Sequence, residues 1–122
     1  MTLIVTAACA PQAASTPPLS RLTISELDAL YDALLAAEDA IASKTNSPRI
    51  RGTALHEYLS ARFEGIATEI DLVVAELRGR RPSDRWASHE RAHRLIMHAC
   101  RCGESPADIA DLAHDLSRPE TH

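Results

Sequence analysis

The stretch LTISELDALYDALLAAEDAI, residues 22–41, and its counterpart LHEYLSARFEGIATEIDLVVAEL, residues 55–77, decide the fold. In the first, Leu27, Leu30, Leu34, Ala37 and Ile41 recur at alternating steps of three and four. In the second, Leu59, Phe63, Ile66, Ile70, Val73 and Leu77 do the same. That is the spacing of a helix laid against another helix, and no segment has the period-two alternation of a half-buried strand. The chain is therefore expected to be all-α.

Punctuation places the boundaries. Thr23 with Glu26 three residues later reads as a capping box, with Leu22 and Leu27 as its hydrophobic staple. The first helix then runs to about Ser43, and residues 44–52, with Ser47-Pro48 and Gly52, read as a loop. A second helix runs from near Thr53 to Arg78, with Gly79 at the C′ position and Pro82 beyond it. Gly65, near its middle, suggests a close helix crossing or a mild bend. A third helix spans Ser83 or Asp84 to Cys102 and closes on Gly103. A fourth starts with Ser105 as N-cap and Pro106 at N1, carries Ile109, Leu112, Ala113 and Leu116 on one face, and stops at Pro119. The expected architecture is an antiparallel hairpin of two long helices with two further helices packed on it, a four-helix, bundle-like domain over residues 21–118. Residues 1–20, rich in Ala, Pro, Ser and Thr, read as a disordered N-terminal tail, and residues 119–122 as a C-terminal tail.

Composition bounds the function. The 122 residues include only Tyr31, Tyr58, Phe63 and Trp86 as aromatics, so the core is aliphatic and alanine-rich and buries little area per contact. Stability gained by self-association, as a homodimer, is the expectation that follows. Three cysteines, Cys9, Cys100 and Cys102, form no disulfide framework and point to a reducing, cytoplasmic setting. The opening Met1-Thr-Leu-Ile-Val-Thr-Ala-Ala-Cys9 has no basic n-region and too short an apolar run for an export signal. No segment has the length of a membrane span.

The net charge of −4 is unevenly distributed. Residues 78–101 hold seven arginines against Asp84 and Glu90, whereas residues 26–76 carry ten acids against four bases. Such a basic centre can meet a polyanion, an acidic partner or the chain's own acidic helices. Glu57, Glu64, Asp71 and Glu76 are the expected internal partners. On a helical wheel at about 100° per residue, Trp86, His89, Ala92, His93, Leu95, Ile96, Met97, Ala99 and Cys100 share one side of the third helix. That side is expected to be the buried stripe, with Arg91, Arg94, His98 and Arg101 turned to solvent.

His89-Glu90-Arg91-Ala92-His93 resembles the H-E-x-x-H pattern of zinc metalloproteases. The resemblance covers five residues and implies His89 and His93 as zinc ligands with Glu90 as general base. Against it stand Arg91 within the motif and Arg94 after it, the absence of strands for a substrate-binding sheet, and His98 pointing about 140° from His93 on a straight helix. The match is read as accidental, with a zinc-dependent hydrolase kept as the alternative. Gly103-Glu-Ser-Pro-Ala-Asp-Ile-Ala110 resembles the start of the second helix of a helix-turn-helix regulator. Only Glu120, Thr121 and His122 follow the turn-like Ser117-Arg118-Pro119, too few for a recognition helix.

The leading expectation is a small non-enzymatic helical protein acting through protein–protein contact: an adaptor, antiactivator-like regulator or accessory subunit. Its expected contact surface is Arg78, Arg80, Arg81, Arg91, Arg94 and Arg101, with Tyr58 and Trp86 as aromatic anchors. Binding of a nucleic-acid backbone through the arginines of residues 78–101 is a further alternative, weakened by the lack of interleaved aromatics for base stacking.

Overall fold

In a computed structural model the described residues are 16–118. They form four α-helices: α1 (Ile24–Thr45), α2 (Ala54–Gly79), α3 (Arg85–Arg101) and α4 (Pro106–Ser117). No strand occurs among the described residues. The all-α, four-helix expectation holds. Most of the 1–20 tail and residues 119–122 lie outside the described residues, but Leu19–Arg21 form a short 3-10 turn ahead of α1.

Each helix begins where a side chain satisfies its free amide groups. The capping box is present: the Glu26 amide donates to Thr23 Oγ1 at 3.1 Å, and the Thr23 amide to Glu26 Oε1 at 2.9 Å. That bond to the Thr23 backbone holds the exposed Glu26 carboxyl below its ordinary pKa. Thr53 caps α2, Asp84 accepts from the amides of Trp86 and Ala87 at the start of α3, and Ser105 caps α4 ahead of Pro106. The C-termini differ from expectation at one glycine. Gly79 remains helical and α2 stops at extended Arg80, without a left-handed glycine. Gly103 does take the left-handed conformation, φ 74°, and closes a Schellman motif: its amide donates to the Cys100 carbonyl and that of Glu104 to the Ala99 carbonyl.

The dominant contact is α1 along α2. Their near ends join through a short loop, while Arg80 at the far end of α2 reaches the carbonyls of Leu19, Ser20 and Leu22, which sets the two helices antiparallel. The seam contains Ile24, Leu27 and Tyr31 from α1 and Ile66, Ile70, Val73, Val74 and Leu77 from α2. Helix α3 adds Leu95 and Ala99 and crosses both. At about 1.5 Å per residue, α3 is shorter than α2 by about 13 Å, so it covers one part of the hairpin. Contacts from Ser25–Glu90 to Glu38–Arg101 mark that part. Toward the loop Leu34, Ile41, Leu59 and Phe63 remain half-buried, and Leu55 and Tyr58 are exposed. Helix α4 rests chiefly on α3 and has no fully buried residue.

Gly65 is not at a helix crossing. A Cβ built there would meet nothing within 4 Å. Gly65→Ala is therefore expected to stabilise the protein by about 0.5–1 kcal/mol, through helix propensity and a less flexible unfolded chain. A shift of the urea midpoint to higher concentration checks it.

Candidate interaction surface

The orientation of α3 decides which of its residues can meet a partner, and it differs from the wheel-based expectation. The side turned to the bundle carries Ala87, Arg91, Arg94, Leu95, His98 and Ala99, of which only Leu95 and Ala99 are fully buried. His89, His93 and Cys100, placed by the wheel in the buried stripe, are exposed. Trp86 is 72% and Met97 51% exposed. The physical reason lies on the facing helix. Arginine stems are long and apolar enough to pack across a core edge while their heads reach specific acceptors. Here α1 presents Asp28, Asp32 and Glu38, and the end of α2 presents the carbonyls of its last turn.

Arg94 is the centre of this arrangement. Its Nε bonds Asp28 Oδ1 and its Nη2 lies 2.6 Å from Asp32 Oδ1. Its guanidinium sits 4.4 Å from the centroid of the Tyr31 ring. That ring is 1% exposed, and burial pushes its phenol pKa up. Arg101 Nη2 bonds the buried Glu38. Arg91 donates from Nε to the Leu77 carbonyl at 2.6 Å and from Nη2 to that of Arg78 at 3.0 Å. These are the last carbonyls of α2, where cationic donors are favoured. Arg80 pairs with Glu76 at 2.9 Å besides holding the 3-10 turn. Arg81 donates to the carbonyls of Arg78 and Arg80. Of the internal partners expected from sequence, Glu76 has this role. Asp28 and Asp32 were missed, although their i, i+4 spacing beside Tyr31 puts them on one face of α1.

Tyr31 Oη also contacts His98 Nδ1 at 2.7 Å, with the two rings edge to face at 5.6 Å. Burial lowers the His98 pKa, reinforced by the charges of Arg101 and Arg78 and opposed by those of Asp71 and Glu104. The unfolded chain therefore binds more protons than the native one just below the ordinary imidazole pKa of about 6.5. Stability is expected to be full above that value and to fall as pH drops through it toward the lowered native pKa. Thermal unfolding between pH 7.5 and 5 should show the loss in the parent protein and a smaller one in His98→Asn.

What remains outward is a different surface. A groove of about 1380 Å³ runs between the end of α2, the first half of α3 and the end of α4. Its floor is Ala92, Leu95, Ile96, Leu112 and Leu116, and Arg78, Arg81, Arg85 and Arg118 line its sides with Asp84 and Asp115. A smaller hollow of about 450 Å³, formed by Asp84, Arg85, Trp86 and His89, adjoins it. Trp86, Arg78, Arg81 and Arg91 of the expected contact residues thus lie at this end. Tyr58, 66% exposed, sits about 30 Å away along α2 by helix rise, so the structure does not bring the two aromatic anchors together.

In the H-E-x-x-H segment His89 and His93 are exposed, whereas Glu90 and Arg91 are half-buried against the hairpin. Glu90 Oε1 accepts a hydrogen bond from Ser25 Oγ at 2.7 Å. Among the described residues no three His, Cys, Asp or Glu side chains are grouped so as to hold a metal ion. His89 and His93 would need ligands from elsewhere. Among the same residues no helix is long and apolar enough to cross a membrane. No protein-family model, curated protein or solved structure matches this chain.

Proposed function

We propose that the protein acts by protein–protein contact, as an adaptor, antiactivator-like regulator or accessory subunit, through the groove at the α2–α3–α4 end. The observation that carries this reading is Trp86, 72% exposed beside an apolar-floored groove with arginines on its sides. Tryptophan and arginine dominate binding energy at protein interfaces, and a desolvated aliphatic floor is the setting in which they do so. The fitting partner is an amphipathic segment whose apolar face meets Ala92, Ile96, Leu112 and Leu116 and whose acidic flank meets Arg78, Arg85 and Arg118. A second copy of the chain is the partner proposed for the uncovered hairpin end around Leu55 and Tyr58. Hydrolysis through His89, Glu90 and His93 has no comparable support, since the two imidazoles are exposed without a grouped third ligand. Nucleic-acid binding needs a solvated cationic stripe, and Asp28, Asp32 and Glu38 neutralise Arg94 and Arg101.

The test is photo-crosslinking in cells with a photoreactive side chain at Ser88, inside the groove, at Tyr58, and at exposed Ala33 as control. The reading expects a discrete heterologous adduct from Ser88 that disappears in Trp86→Ala. It expects an adduct at twice the chain mass from Tyr58, and none from Ala33. No adduct from Ser88, or the same pattern from all three positions, contradicts it.

A further inference from the structure

A chain of three side chains outside the groove joins the buried core to an exposed thiol. Tyr31 Oη is 2.7 Å from His98 Nδ1, and His98 Nε2 is 3.4 Å from Cys102 Sγ. His98 and Cys102 are one helical turn apart, at the i, i+4 spacing that places both on one side of α3. The histidine is half-buried; one ring nitrogen faces the sealed interior and the other faces the exposed cysteine. This is the arrangement of an activated nucleophile: a thiol, a base within hydrogen-bond reach, and a third group that orients the base. Cys100, two residues earlier, is also an exposed free thiol, but no hydrogen bond to a histidine is present there among the described residues.

We propose that Cys102 is a modification site, a thiol that exchanges with small disulfides, with His98 as proton acceptor and Tyr31 as the positioning residue. In the tautomer that carries its proton on Nδ1, His98 donates to Tyr31 Oη and turns the Nε2 lone pair toward Sγ. The Cys102 proton passes to Nε2, and the thiolate attacks one sulfur of the disulfide. A new bond forms between Cys102 Sγ and that sulfur as the original sulfur–sulfur bond breaks. The departing thiolate takes the proton from His98, leaving one mixed disulfide and one free thiol. Burial keeps the imidazole neutral, so Nε2 presents a lone pair, and because the same burial disfavours a lasting imidazolium the proton moves as the sulfur attacks. The C-terminus of α3 itself disfavours a thiolate, so any advantage of Cys102 over Cys100 must come from the imidazole.

Cys100, two residues from Cys102, gives the test its internal reference. The protein is incubated with oxidised glutathione at pH 7 and digested with trypsin. Cleavage after Arg94 and Arg101 separates the Cys100 peptide, residues 95–101, from the Cys102 peptide, which runs on to residue 122 because trypsin spares the Arg118–Pro119 bond. Both are quantified by mass spectrometry. Cys102 is expected to react at least about fivefold faster than Cys100, with a ceiling of about thirtyfold, because an ordinary thiol of pKa about 8.5 is already a few per cent ionised at pH 7. His98→Asn keeps a polar atom near Tyr31 but removes Nε2, and should bring the ratio close to one while the helical circular dichroism is retained. Tyr31→Phe should reduce the ratio without abolishing it. The proposal is overturned if Cys102 reacts no faster than Cys100 in the parent protein. It is equally overturned if the ratio is unchanged in folded His98→Asn.

Discussion

Leu77→Ala should lower stability by about 3–4 kcal/mol, among the largest effects expected of a single truncation in this chain. Leu77 is fully buried in the last turns of α2, where the seam with α1 meets α3. Its carbonyl also receives the Arg91 guanidinium, so a cavity there loosens the end of α2 on which α3 docks. Small domains have about 5–15 kcal/mol of total stability, so the loss is a large fraction of the whole. The melting temperature should fall by about 15–25 °C, given about 4–8 °C per kcal/mol for a domain of this size. Leu72→Ala is the matched control: Leu72 is 55% exposed on the same helix, and its truncation should cost under about 1 kcal/mol.

Arg94→Ala follows at about 2–3 kcal/mol, larger than a surface ion pair would give. The Arg94 side chain is only 13% exposed, and Asp28, at 26%, loses its charge partner when the guanidinium is removed. The exposed Asp32 adds little, because solvent screens it. The contact over the Tyr31 ring adds a cation–π component of about 1 kcal/mol. Arg94→Met, which retains the packing of the stem, should recover part of the loss. Adding Asp28→Ala to Arg94→Ala should cost less than the two single losses summed, because the second substitution removes the stranded charge. Chemical denaturation of the parent, Arg94→Ala, Arg94→Met, Asp28→Ala and the double variant measures both results.

The helices were legible because period and punctuation agreed. Thr23-Ile-Ser-Glu26, Ser105-Pro106 and Gly103 each correspond to a cap that the fold uses. Gly79 was misread because a glycine followed by a proline three residues later also suits a helix that simply unwinds at Arg80. The facing of α3 was not legible for a deeper reason. A helical wheel counts apolar residues, and by that count Trp86, His89, His93 and Met97 belong inside. The actual choice depends on what the neighbouring helix offers, and α1 offers Asp28, Asp32, Glu38 and the Tyr31 hydroxyl. Arginines expected to form a free flank therefore close the bundle. The groove between α2, α3 and α4 had no sequence signature, since it arises from how three separate helices pack rather than from any one segment.

Arg91, Arg94 and Arg101 are built into the fold against α1 and α2, while Arg78, Arg85 and Arg118 around the groove stay open to a partner. Phenylglyoxal modification of the native protein, followed arginine by arginine by mass spectrometry, measures that division directly. Arg85 and Arg118 should be modified first, Arg80 and Arg101 more slowly and Arg94 last, with Arg94 becoming as reactive as the others only when the protein unfolds. Modification of Arg94 in the folded protein as fast as Arg85 would contradict the account.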